Sequence, residues 1–166
     1  MSLSSKVLLG DNLEVLRSLP SNEFDLVYAD PPFGIGKVFK GKHGSFDDSI
    51  TGEDFLAWIR PRIEEIHRVL KPTGSFFLHM DYHEIHYCKV LCDQVFGRDS
   101  FINEIIWQYD FGYRHKNKWS TKHDNILFYA KDPNSYTFHL DEVDLVPKLA
   151  PGLPTSKNRK NPNMKT

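Results

Sequence analysis

The chain has 166 residues, with 21 Lys and Arg against 22 Asp and Glu, for a net charge of −1. At 40% hydrophobic and 13% aromatic residues it is composed for a packed core, which excludes a disordered chain, and its length suits one domain. No apolar run approaches the roughly 20 residues of a membrane span. The start Met1-Ser2-Leu3-Ser4-Ser5-Lys6 lacks the charged-then-apolar layout of a secretion signal, so a cytoplasmic protein without a membrane partner is expected.

In chain order, Lys6-Val7-Leu8-Leu9 predicts a short strand ending at Gly10-Asp11. Asp11 or Asn12 then caps a helix over Leu13 to Leu19, stopped by Pro20. Phe24 to Ala29 reads as a strand that ends on Asp30-Pro31-Pro32-Phe33. The stretch from Gly34 to Gly52 is rich in Gly, Lys and Asp and has no periodicity, which predicts a long loop of the kind that carries function. Thr51-Gly52-Glu53-Asp54 resembles a capping box, opening a helix with Phe55, Trp58, Ile59, Ile63, Ile66 and Leu70 on one face. Pro61 predicts a kink or a fresh start within that helix.

Ser75 to Met80 reads as a buried strand, followed by a helix with Ile85, Cys88, Leu91, Cys92 and Val95 inward and Gly97 at its end. Strand pattern returns over Phe101 to Tyr109 and Asn125 to Ala130, the latter expected to form a hairpin with Tyr136-Thr137-Phe138. Strands alternating with helices predict an α/β fold, mostly parallel with an antiparallel edge hairpin and helices on both faces. Residues 1–146 are expected to form one folded unit. From 147 to 166 the composition predicts a basic, extended tail.

The chemistry concentrates at Asp30-Pro31-Pro32-Phe33. Ligands of open α/β sheets bind at the carboxyl ends of strands, and here an acid, two prolines and an aromatic ring stand at such an end. The prolines fix φ and bring no N–H, so the turn is stiff and its carbonyls stay free to accept hydrogen bonds. A carboxylate, a free carbonyl and a ring suit gripping the exocyclic amino group of a planar base. The same residue types also build ordinary turns.

A second feature is charge placement. Arg114, Lys116, Lys118 and Lys122 follow one another with no acid between them and with Trp119 among them, which suits phosphate contact with stacking. Lys37 and Lys40 lie in the long loop after the acid-proline turn, where they can reach phosphate. The histidines His79, His83 and His86 lack the spacing of a helical zinc pair, and Cys88 and Cys92 do not form a CxxC knuckle, so no metal is expected. A disulfide within one helical turn has poor geometry, which predicts two reduced thiols.

Four blocks occur in a fixed order: Gly10-Asp11-Asn12-Leu13-Glu14, Asp30-Pro31-Pro32-Phe33, Val69-Leu70-Lys71-Pro72-Thr73-Gly74-Ser75 and His123-Asp124-Asn125-Ile126-Leu127-Phe128-Tyr129. Together they resemble the amino-group DNA methyltransferases that act on adenine N6 or cytosine N4. The order is that of the circularly permuted (beta) class, with the catalytic motif ahead of the cofactor's glycine motif.

The resemblance implies an incomplete Rossmann-like sheet, S-adenosyl-L-methionine as methyl donor and double-stranded DNA as substrate. It makes Asp30, Pro31, Pro32 and Phe33 catalytic and gives Asp11 and Asn12 to the cofactor. Phosphate contact would fall to Lys37, Arg114, Lys116, Lys118, Trp119 and Lys122. Asp at the first motif position is more like the adenine enzymes. The Phe-x-Gly-x-Gly motif of this class is missing before Thr166, which leaves three expectations. Either the product is truncated, or a separate polypeptide supplies the glycine-rich half, or the chain is an inactive remnant that binds DNA or a partner.

Overall fold

The computed structural model describes residues 5–42, 44–110 and 115–143. In chain order these form α1 (Asn12–Ser18), β1 (Phe24–Ala29), β2 (Lys37–Gly41), β3 (Gly44–Asp48), α2 (Gly52–Val69), β4 (Leu70–Met80), α3 (Ile85–Phe96), β5 (Phe101–Gln108) and β6 (His123–Ala130). Four strands make one sheet in the order β1-β4-β6-β5, and β2 pairs with β3 in a separate ribbon.

The expected α/β, Rossmann-like architecture is present, with a mixed sheet. β1 and β4 run parallel through the α2 crossover, whereas β6 is antiparallel to both of its neighbours. The α3 crossover carries the chain past β4 to the outer edge, and the return from β5 slots β6 into the gap. A single parallel pair therefore replaces the mostly parallel sheet. β6 has no free side left, which is why the expected hairpin with Tyr136 to Phe138 does not form. That segment folds back instead, with the Thr137 N–H on the Thr73 carbonyl at 3.1 Å and the Tyr136 ring edge-on to Phe128.

Apolar periodicity sets the core. Phe55, Ile59, Ile63 and Ile66 of α2 and Ile85, Cys88, Leu91 and Cys92 of α3 meet Phe76, Leu78, Met80, Leu127 and Tyr129 of the sheet in one buried cluster. Leu16 brings α1 to the same side. All three described helices thus cover one face, where helices on both faces were expected. The strand residues in between, including Leu26, Tyr28, Phe77, His79, Ile105 and Trp107, share the opposite face by register.

Three local expectations change. Lys6 to Leu9 forms no strand, and Val7 and Leu9 are nearly fully exposed; no neighbouring strand among the described residues is in place to pair with them. α2 runs unbroken through Pro61, with the Arg62 guanidinium supplying an extra donor to the Trp58 carbonyl at 2.7 Å. The stretch expected as a structureless loop contains the β2–β3 ribbon. Cys88 and Cys92 are free and buried. Burial, reinforced by Glu84, pushes the Cys88 thiol up to about 12, and burial holds Cys92 well above its ordinary value, so neither is a nucleophile near neutral pH.

Candidate active site

Because β1 and β4 are parallel and β6 is antiparallel to β4, the ends of β1 and β4 and the start of β6 meet at one edge of the sheet. Asp30 leaves β1 there with its side chain 59% exposed. His79, near the end of β4, lies between two carboxylates. Its Nδ1 is 3.8 Å from Asp30 Oδ1 and its Nε2 is 3.4 Å from Asp124 Oδ2. The Tyr109 hydroxyl donates to Asp124 Oδ1 at 3.3 Å. Phe33 and Tyr28 place their rings 5.7 and 6.1 Å from the His79 ring. Burial and then the nearby Asp30 and Asp124 charges raise the Tyr28 phenol above its ordinary value, and burial and then Asp124 do the same for Tyr109. Both phenols therefore stay protonated at neutral pH.

The turn is held from behind. Gly34 has φ +71°, and a side chain there would meet Glu84 Cγ at 2.7 Å, so the position demands glycine on two counts. Its N–H donates to the buried Asp48 carboxylate at 2.6 Å, and the Ile35 N–H points to the same oxygen at 3.4 Å. Glu84 is buried as well and accepts from the Gly52 N–H at the start of α2, at 2.8 Å. This replaces the Thr51 cap that the sequence suggested, since the Thr51 side chain makes no cap bond. Beside the turn a cavity of about 160 Å³ is lined by Pro32, Asp47, Asp48, Ile50, Phe55 and Trp58.

Trp58 links the cavity to Asp11 and Asn12. The Arg62 guanidinium lies 4.0 Å from the Trp58 ring centre, donates to Asp11 Oδ2 at 2.7 Å and to Asn12 Oδ1 at 2.8 Å, and is itself buried. Asp11 Oδ1 accepts from the Leu13 N–H at 2.8 Å, so Asp11 is also the cap of α1. This backbone bond foremost holds the Asp11 carboxyl below its ordinary value; burial opposes it, and the Arg62 charge adds to the lowering.

The basic candidates divide. Lys37 is exposed on the ribbon, and Lys116, Lys118 and Trp119 are exposed on the loop between β5 and β6, Trp119 by 96%. Lys122 is tied to Asp110, its Nζ 3.2 Å from the carbonyl and 3.1 Å from the carboxylate. Arg114 lies outside the described residues. Sequence reasoning did not find Asp124 as a partner of His79, nor Tyr109 as a partner of Asp124. Both stand in or beside β6 and β5, and only the antiparallel pairing brings them to the edge of β1.

The chain is similar to known proteins both in sequence and in fold. The family model described as DNA methylase, covering N6 and N4 methyltransferases, matches residues 24–164. The DNA adenine methyltransferase YhdJ of Escherichia coli strain K12 is 31% identical over 94% of this chain and 51% of its own length. The type II methyltransferase M.HpaI of Haemophilus parainfluenzae is 30% identical over 85% of this chain and 43% of its own. Among solved structures, the cytosine-N4-specific PvuII DNA methyltransferase superposes with a TM-score of 0.55 at 17% identity, over 75% of this chain and 48% of that one. The chain thus spans about half the length of the curated relatives it matches. By the family match and by the ordered blocks around Asp30, this chain belongs to the N6/N4 DNA methylase family.

Proposed function

We propose that this chain is the catalytic portion of a DNA methyltransferase that moves a methyl group from S-adenosyl-L-methionine to the N6 amino group of an adenine flipped out of double-stranded DNA. One observation carries the reading: the Asp30 carboxylate is open to solvent at the carboxyl edge of β1, beside His79 and Phe33, not buried in the core.

The amino nitrogen of adenine is a poor nucleophile because its lone pair is spread into the ring. Asp30 and the Pro31 carbonyl accept its two hydrogens and hold it in line for attack. A charge-assisted bond to Asp30 is about twice as strong as a neutral one. Phe33 stacks on the base, worth roughly 1–3 kcal/mol in other stacked bases. The base must leave the duplex to reach this edge. Positioning carries the rate. His79 and Asp124 keep the Asp30 side of the site polar, and protonated Tyr109 steadies Asp124.

The residues beside the turn fit part of the cofactor. Trp58 and Phe55 offer aromatic walls and Asp47 and Asp48 offer negative charge, a combination that favours a cationic ligand with a flat ring. Asp11 and Asn12 lie on the far side of Trp58, oriented by Arg62. A cavity of about 160 Å³ is below the roughly 300 Å³ at which ligand pockets begin, so further polypeptide completes it. When bound, S-adenosyl-L-methionine supplies an electrophilic methyl on a sulfonium. The remaining length of the family, carrying the glycine-rich motif, closes the site, from a separate polypeptide where it is not on the same one. Lys37, Arg114, Lys116, Lys118, Trp119 and Lys122 serve the DNA backbone.

The test is transfer of radiolabelled methyl to duplex DNA by the chain together with the glycine-motif half of a relative. Labelling is expected in that mixture and should fall by at least about a hundredfold with Asp30→Ala. DNA binding without labelling in the mixture would overturn the enzyme reading in favour of an inactive DNA-binding remnant. Labelling at cytosine N4 would overturn the choice of adenine alone.

A further inference from the structure

The β2–β3 ribbon lacks the packing that explains the other strands. Every residue of β2 and β3 except Asp48 is exposed. Phe39 and Phe46 face each other across the ribbon with ring centres 6.3 Å apart, yet each keeps about half of its surface in water, 47% and 53%. A lone two-stranded ribbon is marginally stable, and the cross-strand aromatic pair contributes to it. That contribution leaves two exposed phenyl faces unexplained. Lys37 and Lys40 on β2 and Lys42 at the turn are exposed and form no ion pair among the described residues. Lys37 stands at the base, across from Asp48, whereas Lys40 and Lys42 lie towards the tip, where the paired residues are Ser45 and Gly44. Asp48 is buried at the base against Gly34 and Ile35, and Asp47 is turned to the Ser49 N–H at 3.0 Å. The base is thus fastened to the residues that follow Asp30-Pro31-Pro32-Phe33, while the phenyl pair at the middle and Lys40 and Lys42 towards the tip stay exposed.

We infer that the β2–β3 ribbon is a DNA-contacting arm that enters the major groove of the duplex beside the base held at Asp30 and Phe33, an inference that rests on the proposed function. The major groove is about 12 Å wide and admits a two-stranded ribbon. Five paired positions span about 17 Å, enough to cross it. Lysine ammonium groups on such an arm displace counterions from phosphates. The Phe39–Phe46 pair meets the apolar edges of the bases, where a hydrocarbon surface gains more than it does in water.

Fluorescence anisotropy of a labelled duplex, titrated with the full chain over a salt series, tests the arm. Lys37→Ala, Lys40→Ala and Lys42→Ala combined should lower the slope of log K against log salt by about 3, one per lysine. Phe39→Ser with Phe46→Ser should weaken binding about tenfold with the slope unchanged, because that contact releases no ions. The urea midpoint of each variant should match wild type, since the ribbon lies outside the core. Wild-type slope and affinity in both variants, with the wild-type chain bound, would overturn the arm and leave the proposed function standing. No binding of duplex by the wild-type chain would overturn the proposed function together with the arm.

Discussion

At position 67 an imidazole on α2 is half-buried, edge-on to the Phe96 ring with centres 4.8 Å apart. Burial, and then the charge of Lys131, lower its pKa below the ordinary 6.5. The unfolded chain therefore binds a proton there before the folded chain does, and stability falls with pH in that window. The contribution of a neutral His67 is complete above about pH 6.5 and is lost as pH drops towards the folded-state value. Urea midpoints measured from pH 8 down to about pH 5 should decline, and His67→Gln should flatten the decline. A difference between the two proteins that does not change with pH would refute this role. Residues of this kind are where the sequence was least informative. Asp30 was legible because strand, acid and prolines are consecutive, and Asp11 because a cap is local. His79 came within reach only through the alternation of β4. Glu84, buried against Gly34 and Gly52, was not legible, because nothing local reveals a contact made 32 and 50 residues away.

Elements were legible where a period was long enough to read. The stripes of α2 and α3 and the continuous runs of β1, β4 and β6 are apolar patterns that the core confirms. The ribbon escaped because β2 and β3 bury almost nothing and so carry no alternation of apolar and polar residues. The partner of β6 was misjudged because both of its sides are paired, and a sequence lists strands without saying which lie between which. One consequence belongs to the junction of these elements. Gly34 joins the acid-proline turn to the ribbon, has positive φ and stands where a Cβ would press on Glu84. Gly34→Ala should cost roughly 1–3 kcal/mol in urea unfolding from backbone strain and should reduce methyl transfer by the complemented enzyme, as the turn shifts away from Asp48. Gly97→Ala, at another positive-φ glycine but with nothing within 4 Å and at the end of α3, should leave methyl transfer unchanged. Equal losses of activity in the two variants would show that the Asp48 and Glu84 contacts do not set the turn.

On the scale of the molecule, helices cover one face of the sheet, while the other is covered only at β6, where Ile126 and Phe128 are buried. Helices cover Phe76, Leu78, Leu127 and Tyr129, whereas Leu26, Tyr28 and Trp107, all on the opposite face, are more than half exposed. β1 is also an edge strand, hydrogen-bonded to β4 alone in the sheet, and an open apolar edge is a template for another strand. Under the function proposed above, a glycine-motif half supplied to this chain would pair with the open edge of β1 and cover the exposed part of that face. Leu26 stands at that junction, 55% exposed and outside the buried cluster. Leu26→Lys should therefore leave the urea midpoint of this chain within about 0.5 kcal/mol of wild type, as surface substitutions do. The same change should sharply weaken association with the glycine-motif half, because a lysine buried there would lose its hydration without a partner. Size-exclusion of the mixed halves and their joint methyl transfer read the two effects separately. If Leu26→Lys leaves association intact, the glycine-motif half docks elsewhere; if it unfolds this chain, Leu26 belongs to the core, and its side of the sheet is not a docking surface.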